Sequence, residues 1–115
     1  MSEKNVVSAI AYYQAVHNKD VSSVAHLFHD DVQLVGPMAN LKGKQVFLES
    51  ASKYAAACGK LIIREKFGTQ NNVLIVYDVY FAAPIGIIRT ASLLNFKDGL
   101  IVRIELFFDV SPFKK

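Results

Sequence analysis

The chain has 115 residues, of which 52% are hydrophobic and 20% charged. This length and composition suit a single globular domain over residues 1–115 with a substantial core, and every apolar run is too short to cross a bilayer. Lysine and arginine exceed the acidic residues only slightly, giving a formal charge of +3. Because these basic residues are scattered rather than grouped, we expect neither a nucleic-acid nor a membrane partner.

The N-terminus, MSEKN, lacks the basic start and apolar block of a secretory signal, so we expect a cytoplasmic protein. The single cysteine, Cys58, has no partner for a disulfide within the chain. His17, His26 and His29 show no spacing that favours a shared metal ion, and there is no glycine-rich phosphate loop. The sequence therefore predicts no metal site and no cofactor.

Apolar residues recur at helical spacing between Glu3 and His17, which predicts a first helix that ends near Asn18. Asp20 is expected to cap a second helix by accepting amide protons of its first turn. One face of that helix is apolar and consists of Val21, Val24, Ala25 and Phe28. The helix is expected to end in the polar turn His29–Asp31.

The segment Val32–Val35 reads as a short strand, closed by the glycine–proline pair at 36–37 because proline cannot donate to a sheet. Gly43 then opens a third helix, Lys44–Cys58, whose apolar residues recur at intervals of three and four. Three helices are thus expected before the main sheet.

The rest of the chain alternates in the manner of β-strands separated by turns, among them an Asp-Gly turn at 98–99. The predicted strands are Leu61–Phe67, Val73–Phe81, Ile85–Phe96 and Leu100–Asp109. Helices followed by antiparallel strands predict an α+β fold, with the three helices on one face of a mostly antiparallel sheet.

Alternation within the strands separates the two faces of the sheet. Asp78 marks the outer face, so Tyr77 lies on the inner face. Arg103 and Glu105 mark the outer face of the last strand, which leaves Val102, Ile104, Leu106 and Phe108 facing inward. The outer face is also apolar, with Leu74, Val76, Tyr80, Leu93 and Phe107. Because a lone domain rarely exposes so much apolar surface, we expect a homodimer packed through the sheet.

The stretch Asp20–Gly43, DVSSVAHLFHDDVQLVGPMANLKG, and the closing strand IVRIELFFD resemble the nuclear transport factor 2-like superfamily. This superfamily includes ketosteroid isomerases, SnoaL-like polyketide cyclases, limonene epoxide hydrolases and scytalone dehydratase. The resemblance covers nearly the whole chain. It implies a curved, cone-shaped sheet of the cystatin-like α+β type wrapped by helices, with a small, mostly apolar ligand inside.

The ketosteroid isomerase pattern places its hydrogen-bond-donating tyrosine at Tyr12 of this chain. The same comparison puts Gly36 where the isomerases carry the proton-transferring aspartate and Ser92 where they carry a protonated aspartic acid. A positioned base is worth about 10²- to 10⁴-fold in rate. The resemblance therefore implies that efficient steroid isomerisation by that mechanism is absent.

Two further acidic residues are implied by other members of the superfamily. The SnoaL-like cyclases place an acidic residue late in the sheet, where Asp109 is the nearest match, and the epoxide hydrolase comparison leaves Asp78. Tyr12, Asp109 and Asp78 are thus the catalytic candidates. The expected ligand-binding residues are Tyr77, Ser92, Thr90, Ile104, Leu106 and Phe108.

Two functions stay open at this point. One is a proton-transfer isomerase or cyclase that acts on a small apolar carbonyl compound. The other is a non-catalytic module of the same fold that binds a small ligand or assembles into dimers. An inward-facing carboxylate beside a deep cavity would favour the first of these.

Overall fold

The computed structural model describes residues 2–114. A first helix, α1, is followed by a short 3₁₀-helix, a pair of strands, a second helix, four further strands and a terminal 3₁₀-turn. The elements are α1 Ser2–His17, the 3₁₀-helix Val21–Leu27, β1 Phe28–Val35, β2 Asn40–Lys42, α2 Lys44–Ala57, β3 Lys60–Gly68, β4 Asn72–Tyr80, β5 Ile87–Lys97, β6 Leu100–Phe108 and the 3₁₀-turn Ser111–Phe113.

The six strands form one sheet in the order β2-β1-β6-β5-β4-β3. All neighbouring pairs are antiparallel except β1 and β6, which are parallel. The α+β class and the mostly antiparallel sheet are therefore confirmed. The expectation that three helices precede the sheet is wrong, because β1 and β2 come before α2 along the chain and belong to the same sheet.

The core lies between the inner face of the sheet and the two α-helices, since α1 packs on β3 and β4 and α2 packs on β1. Alternation sorts β4 as predicted: Val73, Ile75, Tyr77 and Val79 are at most 1% exposed. Leu74, Val76 and Tyr80 face outward and stay half-buried. The strand pattern thus identified the inner face of β4 correctly.

One strand departs from simple alternation. Pairing between β5 and β6 joins Asn95 to Arg103 but Phe96 to Ile101, so Val102 is an extra residue in β6. Such a bulge changes which side chains point inward. Ile101 is fully buried in place of Val102, and the expectation that Val102 faces the helices is wrong.

The segment after Asp20 also differs from the prediction. It is a kinked 3₁₀-helix with a non-helical residue at Val24, and the Asp20 side chain caps no backbone amide of this helix. Instead, the Asp20 carboxylate accepts a long hydrogen bond of 3.4 Å from the Ser22 hydroxyl. Residues 29–31 continue as strand β1 rather than forming a turn, because Phe28 and Val32 are both buried and the strand pairs with β6 on either side of an irregularity.

Among residues 2–114, no helix is both long enough and apolar enough to cross a membrane.

Candidate functional site

A cavity of about 310 Å³ lies between α1, α2 and the inner face of the sheet. Its volume is at the lower end of the range found for small-molecule sites, about 300–1,000 Å³. Its side walls are largely aliphatic and aromatic. The lining residues are Tyr12, Tyr13, Leu34, Gly36, Met38, Ala39, Phe47, Ser50, Ala51, Tyr54, Ala57, Tyr77, Phe81, Ile88, Thr90, Ile104, Leu106, Phe108 and Phe113.

The polar groups of this lining are hydroxyls. Tyr12, Tyr13, Tyr54 and Tyr77 contribute phenols, and Ser50 and Thr90 contribute aliphatic hydroxyls. No carboxylate, imidazole, amine or guanidinium belongs to the lining formed by residues 2–114. The site can therefore offer hydrogen bonds to a ligand, but it offers no side chain that is a base at neutral pH.

Tyr12 and Tyr13 reach the cavity from the middle of α1. Their rings meet edge to face with centroids 4.7 Å apart, and Tyr12 also packs on Phe28 at 5.1 Å. Tyr13 packs on Tyr77 with ring centroids 4.6 Å apart. These aromatic contacts fix both phenols against the sheet.

A buried hydrogen bond of 2.8 Å joins the Tyr77 hydroxyl to the Ser92 hydroxyl and links β4 to β5. Burial raises the pKa of Tyr77 to about 12, and the Ser92 hydrogen bond opposes part of that rise. Ser92 is fully buried and lies behind Tyr77 rather than in the cavity lining. Ser92 thus does not line the cavity itself but holds Tyr77, which does.

The other phenols differ in how they are partnered. The Tyr13 hydroxyl is enclosed by protein and accepts or donates no hydrogen bond among the described residues. Tyr12 also lines the cavity, and the residue as a whole is 5% exposed. Burial raises the pKa of Tyr12, Tyr13 and Tyr54 above the ordinary value for tyrosine. All of these phenols are therefore neutral hydrogen-bond donors at physiological pH.

The cavity lining also includes residues from the turn after β1 and from the terminal 3₁₀-turn. Met38, in the turn after β1, is 57% exposed. Phe113 of the terminal 3₁₀-turn packs edge to face on Phe81 at 5.5 Å and on Phe108 at 5.8 Å. These three phenylalanines form an aromatic part of the cavity wall.

The two carboxylates expected to act as bases lie elsewhere. Asp78 is on the outer face of β4, where its Oδ1 atom is 3.5 Å from the Arg64 guanidinium. Asp109 is exposed, and its Oδ1 atom accepts hydrogen bonds from the Ser111 amide at 3.0 Å and the Ser111 hydroxyl at 2.9 Å. These two hydrogen bonds lower the pKa of Asp109. Alternation turns Asp78 outward, and β6 ends before Asp109, so neither belongs to the cavity that Tyr12 lines.

The remaining expected residues lie together. Tyr77, Thr90, Ile104, Leu106 and Phe108 line the cavity with Tyr12. Sequence reasoning missed contributions from α2, from the turn after β1 and from the terminal 3₁₀-turn. The missed lining residues from these segments include Tyr54, Phe47, Ser50, Met38 and Phe113. The helical spacing of Phe47 and Tyr54 indicated a buried face but not which side of the core it would line.

Within residues 2–114, no cluster of three histidine, cysteine, aspartate or glutamate side chains could hold a metal ion.

Comparison with known proteins adds the family. A model of the SnoaL-like domain matches residues 9–104. The chain belongs to the SnoaL-like domain family. This match confirms the nuclear transport factor 2-like superfamily that was expected from the sequence. No curated protein matches the sequence significantly.

Solved structures with the same fold are numerous. A protein from Kribbella flavida superposes with a TM-score of 0.87 at 21% identity over 95% of this chain and 89% of the other. A candidate ketosteroid isomerase from the same organism superposes with a TM-score of 0.84 at 16% identity, over 94% of this chain and 79% of the other. A candidate polyketide cyclase from Sinorhizobium meliloti superposes with a TM-score of 0.78 at 19% identity, over 87% of this chain and 93% of the other. At such identities, these likenesses establish the curved-sheet fold alone.

Within this SnoaL-like domain, Gly36 lies in the cavity lining. A Cβ atom built at Gly36 would meet the Leu106 Cβ atom at 3.3 Å and the Leu106 Cδ1 atom at 3.4 Å. Both separations are tight, so a larger residue at position 36 would require Leu106 to move. Because Gly36 has no side chain, Leu106 packs close to its backbone, and both residues line the cavity.

Proposed function

We propose that the cavity binds a small, mainly apolar molecule and hydrogen-bonds to a single neutral oxygen on it. The observation that carries this proposal is the composition of the lining, in which hydroxyls are the only nitrogen- or oxygen-bearing side-chain groups among the described residues. Burial of apolar ligand surface contributes about 25 cal/mol per Å². The hydrogen bond adds about 1 kcal/mol and sets the orientation of the ligand.

The charge state of the site favours a neutral ligand. A carboxylate that enters this cavity would lose its hydration and meet no cation in the described lining, which is a large free-energy cost. A ketone, ester or alcohol of the same shape carries no such cost. Tyr12 is the proposed donor because it lines the cavity, whereas the Tyr77 hydroxyl is bonded to Ser92 and the Tyr13 hydroxyl is enclosed by protein.

A matched series of ligands tests this proposal by calorimetry. Acetylnaphthalene carries a neutral carbonyl, ethylnaphthalene has nearly the same shape without the oxygen, and naphthoate carries a charge. We expect the ketone to bind about fivefold more tightly than the hydrocarbon, as one net hydrogen bond implies. Naphthoate should bind most weakly of the three.

Substitution of the donor sharpens the test. Tyr12→Phe should lower the affinity for the ketone about fivefold and leave the affinity for the hydrocarbon unchanged. Tyr80→Phe, which removes a phenol from the outer face of β4, is the matched control and should change neither. Equal binding of ketone and hydrocarbon by the wild type, or tighter binding of naphthoate, would contradict the proposal.

Proton transfer on a carbonyl compound is the second candidate, and one observation favours it. Tyr12 stands in an apolar cavity where a phenol can polarise a carbonyl oxygen and so acidify the neighbouring carbon. The lining supplies no carboxylate to remove that proton, which is why binding is placed first. The exchange of the acetyl protons of acetylnaphthalene in D₂O, followed by NMR, separates the two. Exchange accelerated by the wild type and abolished in Tyr12→Phe supports chemistry, and exchange at the buffer rate supports binding alone.

A further inference from the structure

A buried threonine lies in the sheet wall of the cavity. Thr90 on β5 belongs to the lining and is 6% exposed. Its register partners are Tyr77 on β4 and Phe108 on β6, and both of these residues also line the cavity. Thr90 is therefore flanked on both sides by lining residues, so a ligand in the cavity would lie next to it.

The hydrogen-bonding capacity of Thr90 is only partly used. Its hydroxyl donates to the Ile88 carbonyl at 3.4 Å, which is its single hydrogen bond among residues 2–114. Hydrogen bonds between oxygens are usually about 2.5–3.0 Å long, so this one is weak. A threonine hydroxyl has one proton and two lone pairs. Because the proton is directed at Ile88, the oxygen of Thr90 is left as an acceptor without a donor in the described part of the chain.

The other hydroxyls of the lining are less suited to this role. The Tyr77 hydroxyl already forms a buried hydrogen bond of 2.8 Å with Ser92. Ser50, on α2, is less buried than Thr90. Since the cost of an unfilled hydrogen-bonding position is greatest where water is excluded, Thr90 is the strongest candidate for a second polar contact with the ligand.

Tyr12 and Thr90 reach the cavity from different walls. Tyr12 is on α1, where it packs against Phe28 at 5.1 Å and against Phe47 at 5.9 Å. Thr90 is on the sheet. The two hydroxyls also differ in sense, because Tyr12 is the proposed donor and the Thr90 oxygen is free to accept. A ligand that satisfies both residues carries an acceptor at one point and a donor at another.

We infer that the ligand is a neutral hydroxy ketone, whose carbonyl oxygen accepts a hydrogen bond from Tyr12 and whose separate hydroxyl group donates one to Thr90. This inference rests on the proposed function, since it takes Tyr12 as the donor, and it adds a second polar group to the ligand. A second carbonyl group would suit Thr90 less well, because it would bring another acceptor to an oxygen whose proton is directed at Ile88.

Three ligands of one shape test the second contact by calorimetry. They are 2-acetylnaphthalene, 6-acetyl-2-naphthol, which adds a hydroxyl at the far end of the rings, and the methyl ether of that naphthol. Phenols ionise near about pH 10, so the naphthol is neutral at pH 6. The naphthol should bind about fivefold more tightly than the ketone, as one net hydrogen bond implies. The ether should show no such gain, because it cannot donate.

Substitution of Thr90 locates the acceptor. Thr90→Val keeps the branched shape but removes the oxygen, so it should abolish the gain of the naphthol and leave the affinity for the ketone nearly unchanged. Thr90→Ser keeps a hydroxyl and should retain the gain. Thr69→Val makes the same change at an exposed turn and is the matched control, which should also retain it. Circular dichroism identifies any variant that fails to fold.

Tyr12→Phe reports the orientation of the ligand. It should lower the affinities for the ketone and for the naphthol by the same factor, because Tyr12 contacts the carbonyl oxygen that both ligands carry. A variant that removes the gain of the naphthol instead would place the hydroxyl at Tyr12 and overturn the inferred orientation.

The failure of this inference differs from the failure of the proposed function. If the naphthol and the ketone bind the wild type equally, while the ketone still binds more tightly than ethylnaphthalene, the contact with Thr90 is refuted and the proposed function stands. A gain that persists in folded Thr90→Val, or that the ether shares, would also refute the contact. If none of these ligands binds, both proposals are wrong.

Discussion

At the scale of single residues, the hydrogen bond from Ser92 holds Tyr77, which lines the cavity, in place. Ser92→Ala removes one partner and leaves the Tyr77 hydroxyl buried beside the unpartnered hydroxyl of Tyr13. We expect the free energy of unfolding in urea to fall by about 1–3 kcal/mol, the usual cost of a buried polar group without a partner. Ser52→Ala, at an exposed position of α2, is the control and should change it little. An unchanged stability of Ser92→Ala would mean that this bond contributes nothing net.

The buried tyrosines also predict how stability depends on pH. The pKa of Tyr77 rises from 10.0 to about 12 on folding, so the folded state holds its proton more tightly than the unfolded state. The stabilisation is therefore fully present below pH 10 and is lost as the pH rises through about 12. Tyr12, Tyr13 and Tyr54 shift in the same direction. Urea unfolding at pH 8 to 12 should show a plateau and then a decline, and stability that increases above pH 10 would contradict this sign.

Gly36 determines the space available in the cavity. Gly36→Ala removes backbone freedom from the unfolded chain, a gain of about 0.4–1 kcal/mol where the backbone conformation suits alanine. The new methyl group presses on Leu106, and overpacking of this kind costs about 1–3 kcal/mol. We therefore expect Gly36→Ala to lower the free energy of unfolding by about 0–3 kcal/mol and to cause a clear loss of affinity for acetylnaphthalene, measured by calorimetry. The smaller ketone acetophenone should be affected less, and equal losses for both ligands would argue against a volume effect.

At the scale of elements, the terminal 3₁₀-turn Ser111–Phe113 contributes to the cavity wall. Asp109 holds this turn through two hydrogen bonds from Ser111, and Phe113 contacts Phe81 and Phe108, which also line the cavity. Phe113→Ala should open this wall, so that acetylnaphthalene enters and leaves faster by several fold in stopped-flow measurements. Lys114→Ala changes the exposed neighbour and should leave both rates unchanged. Unaltered rates in Phe113→Ala would show that the ligand enters by another route.

How far the sequence predicts these elements depends on how local their causes are. Strands β3 to β6 were located closely because alternation and turn residues are local signals, and Tyr77 was placed inward for the same reason. Strand β1 was predicted four residues too short, and β2 was not predicted. The bulge at Val102 could not be read from the sequence, because it arises from pairing between β5 and β6. Asp20 looked like a helix cap, but the following segment is a kinked 3₁₀-helix in which the Asp20 backbone carbonyl, not its side chain, bonds Ser23.

The residues of the candidate site were likewise predicted where local signals place them and missed where tertiary packing does. Five lining residues on β4 to β6 were predicted, since their faces follow from alternation: Tyr77, Thr90, Ile104, Leu106 and Phe108. Leu34 on β1 and Ile88 on β5 were not. Tyr54 and Phe113 were not, because their place in the cavity depends on how α2 and the chain end pack against the sheet. Lys19 illustrates a purely tertiary link: its ammonium group donates to the Ala55 and Cys58 carbonyls at the end of α2. No pattern within either helix indicates that contact.

At the scale of the whole molecule, the sheet separates two different surfaces. Its inner face, with α1 and α2, encloses a cavity with hydroxyls as its polar groups among the described residues. Its outer face carries an apolar patch around Asp78 and Arg89. A ligand in the cavity would therefore contact only the inner side of these strands.

We propose that the inner cavity receives a neutral, mainly apolar ligand. A chemical-shift titration of isotopically labelled protein with acetylnaphthalene shows where such a ligand binds. We expect the largest shifts at backbone amides of the lining, such as those of Tyr12, Thr90 and Leu106, and small shifts at Leu74 and Val76 on the outer face. Shifts confined to the outer face, or no saturable shifts at any amide, would contradict the account.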